Sequence, residues 1–129
     1  SLVDNGADII FGVGGTTGSS ALVAAGTRGA YAIGADIDQY YALPFAAPRM
    51  LTSVIKMISP AVTGLVRAAK EAQSQTGIFQ AGNYYGQIGF APYHDLAALV
   101  PQDVRQQMLI LPHALLSGMI QTGVPSTTP

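Results

Sequence analysis

Three short apolar runs constrain this chain more than any other feature: DIIFGV at Asp8–Val13, AYAIGA at Ala30–Ala35 and MLTSVIKMI at Met50–Ile58. Each is rich in β-branched, aromatic or small residues and is bounded by turn-forming residues. Runs of this kind read as buried parallel strands, apolar on both faces. They fall far short of the ~20 residues needed to span a bilayer. What lies between and after them alternates with helix. TGSSALVAAGTRG carries Ala and Leu at its centre, with Gly26 and Gly29 as stops, and predicts a short helix. DIDQYYALPFAAPR, broken by Pro44 and Pro48, reads as a loop. After the third run, Ser59 is expected to cap a helix with Pro60 at its first position. Val62, Leu65, Val66 and Ala69 repeat at helical spacing there, and the helix is expected to end near Gly77. NYYGQIGFAPY predicts a weak strand or hairpin. The stretch from Pro101 predicts a second long helix with Val104, Met108, Leu111 and Leu115 on one face, kinked or interrupted at Pro112. The alternation is that of an α/β fold, three layers deep, with a parallel sheet and helices on both faces.

Composition narrows the function. Hydrophobic residues make up 49% of the 129 and charged residues only 10%, against roughly 25% charged in an average soluble domain. Much of this surface is therefore core or interface rather than water-facing. A formal net charge of −1, with six scattered Lys and Arg, excludes nucleic acid as a partner. The absence of cysteine excludes disulfides, thiolate metal sites and cysteine nucleophiles. His94 and His113 have no acid or second His at ligand spacing, and no nucleophile-elbow G-x-S-x-G is present, so neither metal, cofactor nor catalysis is expected. The opening SLVDNGAD reads as the end of a helix stopped by Gly6. The chain is therefore expected to be part of a longer protein. Residues 1–124 are expected to form one unit, and 125–129 a frayed Pro/Thr-rich tail.

In a parallel α/β sheet, ligands bind at the C-terminal ends of the strands. That rule selects three places. The first is the glycine loop after the first run. It is not a phosphate-binding P-loop, because no Gly-Lys-Ser/Thr follows, and it matches only a loose G-x-G-x-x-x-G through Gly12, Gly14 and Gly18. Two readings stay open: a tight strand-to-helix turn, or a place where Gly14 and Gly15 bring backbone amides against a ligand at a helix N-terminus. The second place is Asp36, directly after the second run, where a carboxylate can accept from two adjacent sugar hydroxyls. Asp38 reads better as an acid shaping the loop. The third is Lys56, a cation inside an apolar run, which calls for an acidic or hydroxyl partner or a solvated face. Tyr40, Tyr41, Tyr84 and Tyr85 either line a cleft or pack.

Taken in order, GADIIFGVGGTTG, GAYAIGADIDQ, MLTSVIKMISPAV and GQIGFAPY resemble the basic-membrane-protein family, the substrate-binding lipoproteins of bacterial ABC importers. The resemblance runs from Gly6 to about Val124. It implies a type I periplasmic-binding fold, two α/β lobes closing on a ligand, of which this chain resembles the second-lobe portion. The strand before its first helix and the whole first lobe, with its ring-stacking and base-reading groups, are expected to lie outside this sequence. In nucleoside-binding relatives the matching glycine loop, acid and lysine belong to the ligand site, chiefly on the ribose side. Here those positions are Gly14 or Gly15, Asp36 and Lys56. The loop departs from the family pattern in its extra Thr, GGTTG, and YYALPFAAPR after the acid is unusually apolar.

The resemblance implies a nucleoside-like or other ribose-containing ligand, an ABC permease as partner, and a periplasmic or extracellular place, anchored as a lipoprotein. Two other functions fit the same residues: a Rossmann-type dinucleotide-binding domain of an oxidoreductase, and the effector lobe of a regulator. An uncovered apolar edge also predicts self-association.

Overall fold

The computed structural model of the chain describes residues 1–71 and 88–123. Its centre is a four-stranded sheet in the order β1 (Ile9–Phe11), β2 (Tyr31–Asp36), β3 (Met50–Lys56), β4 (Ile88–Phe90). The first three strands are parallel, as the runs predict, and β4 lies antiparallel to β3, with Gly89 opposite Ile55. The sheet is thus mixed and mostly parallel, where a wholly parallel one is expected. The glycine-spaced GQIGF pattern marks a strand but not its direction. Ala91, just past β4, is fastened twice to β3: its N–H donates to Ser53 O at 2.9 Å, and the Thr52 hydroxyl donates to its carbonyl at 2.7 Å.

Helix α1 (Gly15–Thr27) connects β1 to β2 and packs on both. It starts two residues earlier than its composition predicts, so GTTG forms its first turn. Gly26 lies inside its last turn, and Gly29, with φ +85°, ends it. A side chain at Gly12 would meet Leu22 Cγ at 2.5 Å and Gly18 O at 2.7 Å. The missing Cβ is what lets the end of β1 lie against the first turn of α1. The core forms on this face. Leu22, Ala32, Ala46 and Met50 are fully buried, with Ile10, Val23, Tyr40 and Leu43 packed around them. Alanine at two of these four positions, Ala32 on β2 and Ala46 in the segment that follows it, keeps the layers close.

The segment after β2 is more ordered than a loop. It holds a single-turn helix α2 (Gln39–Ala42) and a 3-10 turn (Ala47–Arg49). Between β2 and β3 the register slips: Ala32 faces Met50 and Ile33 faces Thr52, so Leu51 is an extra residue on β3. The slip turns Met50 and Ser53 to the same face, although three positions separate them.

Several boundaries differ from expectation. β1 is an edge strand among the described residues, so Ile9 and Phe11 stay 45% and 53% exposed where burial is predicted. Helix α3 (Ile58–Lys70) is capped by Met57, not Ser59. Pro60 falls in its first turn, where an N–H has no intrahelical partner to lose. The helix ends at Lys70 with Glu71 as its C-cap; Gly77 lies outside the described residues. The apolar spacing is real, but the helix buries no residue, and Val62 and Val66 are exposed.

Helix α4 (Gln102–Leu116) runs through Pro112 without interruption. Of its expected inner face, Met108, Leu111 and Leu115 are half-buried, Val104 is exposed, and Ala114 is the buried residue. Before it, a 3-10 helix spans His94–Leu99, and Arg105 reaches back to donate to Val100 O and Ala97 O at 2.9 and 2.6 Å. The opening residues form turns closing on Gly6 at φ +91°, without a helix. The tail 125–129 is outside the described residues.

Candidate functional site

The three parallel strands end on one edge of the sheet. At that edge the structure places all four residues singled out above. β1 leads into Gly14 and Gly15, with φ of +122° and +57°, and a side chain at either would meet open space. Gly14 is the N-cap of α1 and offers no side chain, so the first-turn amides are left without a side-chain partner. The glycines of this loop therefore divide the work: Gly12 and Gly18 permit close packing, whereas Gly14 and Gly15 turn the backbone outward. The tight-turn reading holds for Gly12 and Gly18, where a side chain would meet backbone atoms of the strand-to-helix turn.

Asp36 ends β2 and Lys56 ends β3, and the register sets Asp36 opposite Ile55. The Lys56 ammonium Nζ lies 2.6 Å from Asp36 Oδ1. Lys56 thus has the acidic partner that its apolar surroundings demand, and a solvated face as well. The two side chains remain 67% and 50% exposed, so solvent screens the pair, and among the described residues one carboxylate oxygen and two ammonium protons have no protein partner.

The backbone at Asp36 is unusual. Its φ is +73°, and across it the Ile37 N–H donates to Ala35 O at 2.9 Å. A residue with that φ spanned by an i→i+2 bond is the centre of a γ-turn of the positive-φ kind, rare and strained for a non-glycine residue. The turn swings the carboxylate out of the strand's pleat toward the Lys56 end of β3.

Behind it, Asp38 does what an acid shaping a loop is expected to do. Its Oδ1 accepts from Tyr40 N at 3.2 Å and caps α2. Its Oδ2 meets His94 Nε2 at 2.9 Å. A carboxylate only accepts, so that ring nitrogen carries the proton. The His94 side chain is 10% exposed, stacked on Tyr40 at 4.0 Å between centroids and met edge-on by Tyr41 at 5.3 Å. The Tyr40 hydroxyl donates to Asp95 Oδ2 at 2.6 Å. That bond to a carboxylate, with burial and the charge of Asp95, raises the Tyr40 hydroxyl above the ordinary tyrosine value. Tyr40 therefore packs rather than lining a cleft, and Tyr41 is 76% exposed. Tyr84 and Tyr85 lie outside the described residues. Gln39 N donates to the buried Ser53 Oγ at 3.1 Å, while its side-chain Oε1, lying over Gly34, is buried without a partner among the described residues.

Sequence reasoning passed over His94. Nothing in its neighbourhood signals the contact, since its partner lies 56 positions away. His113 is exposed on α4. Among the described residues no group of three His, Cys, Asp or Glu is placed to hold a metal ion. No helix among them is long and apolar enough to cross a membrane. A hollow between β4 and α4, lined by Phe90, Tyr93, Met108 and Pro112, contains none of the strand-end residues.

The edge can thus offer a hydroxylated small molecule a carboxylate acceptor, an ammonium donor and an open glycine backbone. No curated protein matches the chain by sequence. The family model described as Bmp, ABC transporter substrate-binding protein PnrA-like, matches residues 1–120 of the 129, and the chain belongs to that family.

Proposed function

We propose that this chain forms one wall of a cleft that binds a nucleoside or a related ribose-containing molecule, for delivery to an ABC permease. Members of the family are ABC transporter substrate-binding proteins, periplasmic or extracellular, with a small-molecule ligand and a permease partner, and such proteins are generally not enzymes. The observation that carries the finer reading is the half-exposed Asp36–Lys56 pair at the C-terminal edge of the sheet. In this reading the Asp36 carboxylate accepts from two neighbouring ribose hydroxyls. Lys56 fixes the direction of the carboxylate through its contact with Oδ1 and donates to a ribose oxygen. Gly14 and Gly15 let the sugar lie against the backbone at the start of α1.

The opposite wall, with the groups that read the base, belongs to a first lobe, and this chain is part of the C-terminal lobe of the pair. Ligand then stabilises closure by touching both lobes. Anchoring as a lipoprotein is part of the same proposal. So is self-association of the lobe by itself through the uncovered edge of β1, where Ile9 and Phe11 are exposed.

Calorimetric titration of the two-lobed protein with adenosine, guanosine, inosine, free ribose and NAD tests the reading. Sub-micromolar binding of a nucleoside supports it and names the base. Binding of NAD alone favours the dinucleotide-binding alternative, and binding of none of the five removes the ribose assignment.

A further inference from the structure

We infer that His94 is a positioning residue: through Asp38 it holds Asp36 in the left-handed turn that presents its carboxylate at the strand edge. The value of that placement rests on the ligand reading proposed above, but the mechanical link does not.

A strained backbone at a non-glycine residue persists only where its surroundings over-determine it. On its upstream side Asp36 is held by the β2–β3 ladder. Downstream, only Ile37 separates it from two consecutive anchored residues. Gln39 is tied through its N–H to Ser53 Oγ on β3, a side chain with no exposure. Asp38 is tied at both oxygens, one to the α2 backbone and one to His94.

His94 is the deeper end of this second tie. Its ring is 10% exposed and stacked on Tyr40, whose hydroxyl is itself fixed to Asp95. The residue also sits at φ +43°, a second left-handed non-glycine, so its own backbone is bent to aim the ring. Its segment is anchored in turn, because Ala91 is fastened to β3 by two hydrogen bonds. The chain of contacts runs from β3 through Ala91, His94 and Asp38 to Asp36, and back to Lys56 on β3. If the His94 end is released, Asp38 keeps its cap on α2 and Gln39 its tie to Ser53, but the turn loses one of its two downstream anchors and Asp36 relaxes toward ordinary negative φ. Its carboxylate then leaves the Lys56 ammonium.

Amide hydrogen exchange on the unliganded protein is the direct test, with His94→Phe and His94→Gln as variants. Phe keeps the ring against Tyr40 and removes the donor; Gln restores a donor to Asp38. The expected result for His94→Phe is exchange at the Ile37 amide faster by about ten-fold, the scale of one lost hydrogen bond to a charge. The Gly12 amide, which donates to Ile33 O at 3.0 Å, serves as control and should not change. His94→Gln should return Ile37 to within about three-fold of the parent. Unchanged exchange at Ile37 overturns the inference. So does equal acceleration at Gly12, which marks general loosening of the fold, and so does failure of Gln to rescue.

The ligand arm uses adenosine. His94→Phe should weaken it in the two-lobed protein and have no further effect in an Asp36→Ala background, since coupled residues do not add. Additive losses overturn the route through Asp36. If adenosine fails to bind the parent while the exchange pattern holds, the ligand proposal falls and the positioning role of His94 stands.

Discussion

Lys56 Nζ stands 2.6 Å from Asp36 Oδ1 at the ends of adjacent parallel strands, and both side chains are at least half open to solvent. An ion pair so placed adds little to folding, because solvent screens the attraction and two long side chains lose freedom. What it fixes is the direction in which the carboxylate points. Lys56→Met should therefore move the unfolding free energy by no more than about 1 kcal/mol. The same change should weaken nucleoside binding measurably. Calorimetry beside a denaturant titration separates the two effects.

Asp36 carries both charge and strain, and two substitutions divide them. Asp36→Ala should lose about 1–3 kcal/mol of ribose affinity, the scale of an unmade hydrogen bond to a charge. Unaltered affinity in that variant removes Asp36 from the site. Asp36→Gly should lose affinity equally. Because glycine adopts φ +73° without penalty, it should unfold at a temperature no lower than Asp36→Ala.

The glycines of the loop should respond according to their different duties. Gly12→Ala places a Cβ 2.7 Å from Gly18 O, a backbone atom that yields only if α1 moves. A loss of about 1–3 kcal/mol in denaturant unfolding is expected. Gly18→Ala meets Val13 C at 2.9 Å and should behave alike. Gly14→Ala meets no atom, so its cost comes from φ +122° alone.

Tyr40 gives a pH signature. Its hydroxyl is raised above 10.0 by the hydrogen bond to Asp95. A raised folded value means that the bond stabilises the fold fully below the unfolded tyrosine value and is lost as pH climbs through the folded one. Ultraviolet titration should show a tyrosinate step above 10.0 that Tyr40→Phe removes. At neutral pH, Tyr40→Phe should also loosen Asp95 while leaving the stack on His94.

The three parallel strands were legible in the sequence because short apolar runs bounded by Gly, Pro and Asp have few other fates. Asp36, Lys56, Gly14 and Gly15 were legible as strand-end positions by the same logic, and the structure brings Asp36 and Lys56 into contact. Their part in ligand binding is a proposal. What was not legible depends on distant neighbours. The exposure of Phe11 follows from β1 having a single partner strand among those described. The cap of α3 fell on Met57 because β3 stops at Lys56, two residues before its apolar run does. His94 carried no local signal at all, since its meaning lies in Asp38 and Tyr40, far away in the chain.

The extra residue in β3 has a reach beyond its own position. Side chains alternate along a strand, so one inserted residue inverts the parity of everything after it. Ahead of Leu51, β3 keeps step with β2 through Met50; after it, the count runs one ahead through Thr52 to Ile55. Lys56 meets Asp36 only in the shifted count. In an unbroken count with Leu51 paired, Asp36 would stand opposite Val54 and Lys56 two places beyond it; the bulge draws Lys56 to one place beyond the residue that faces Asp36, so the meeting of charge and acid is encoded five residues before the charge itself.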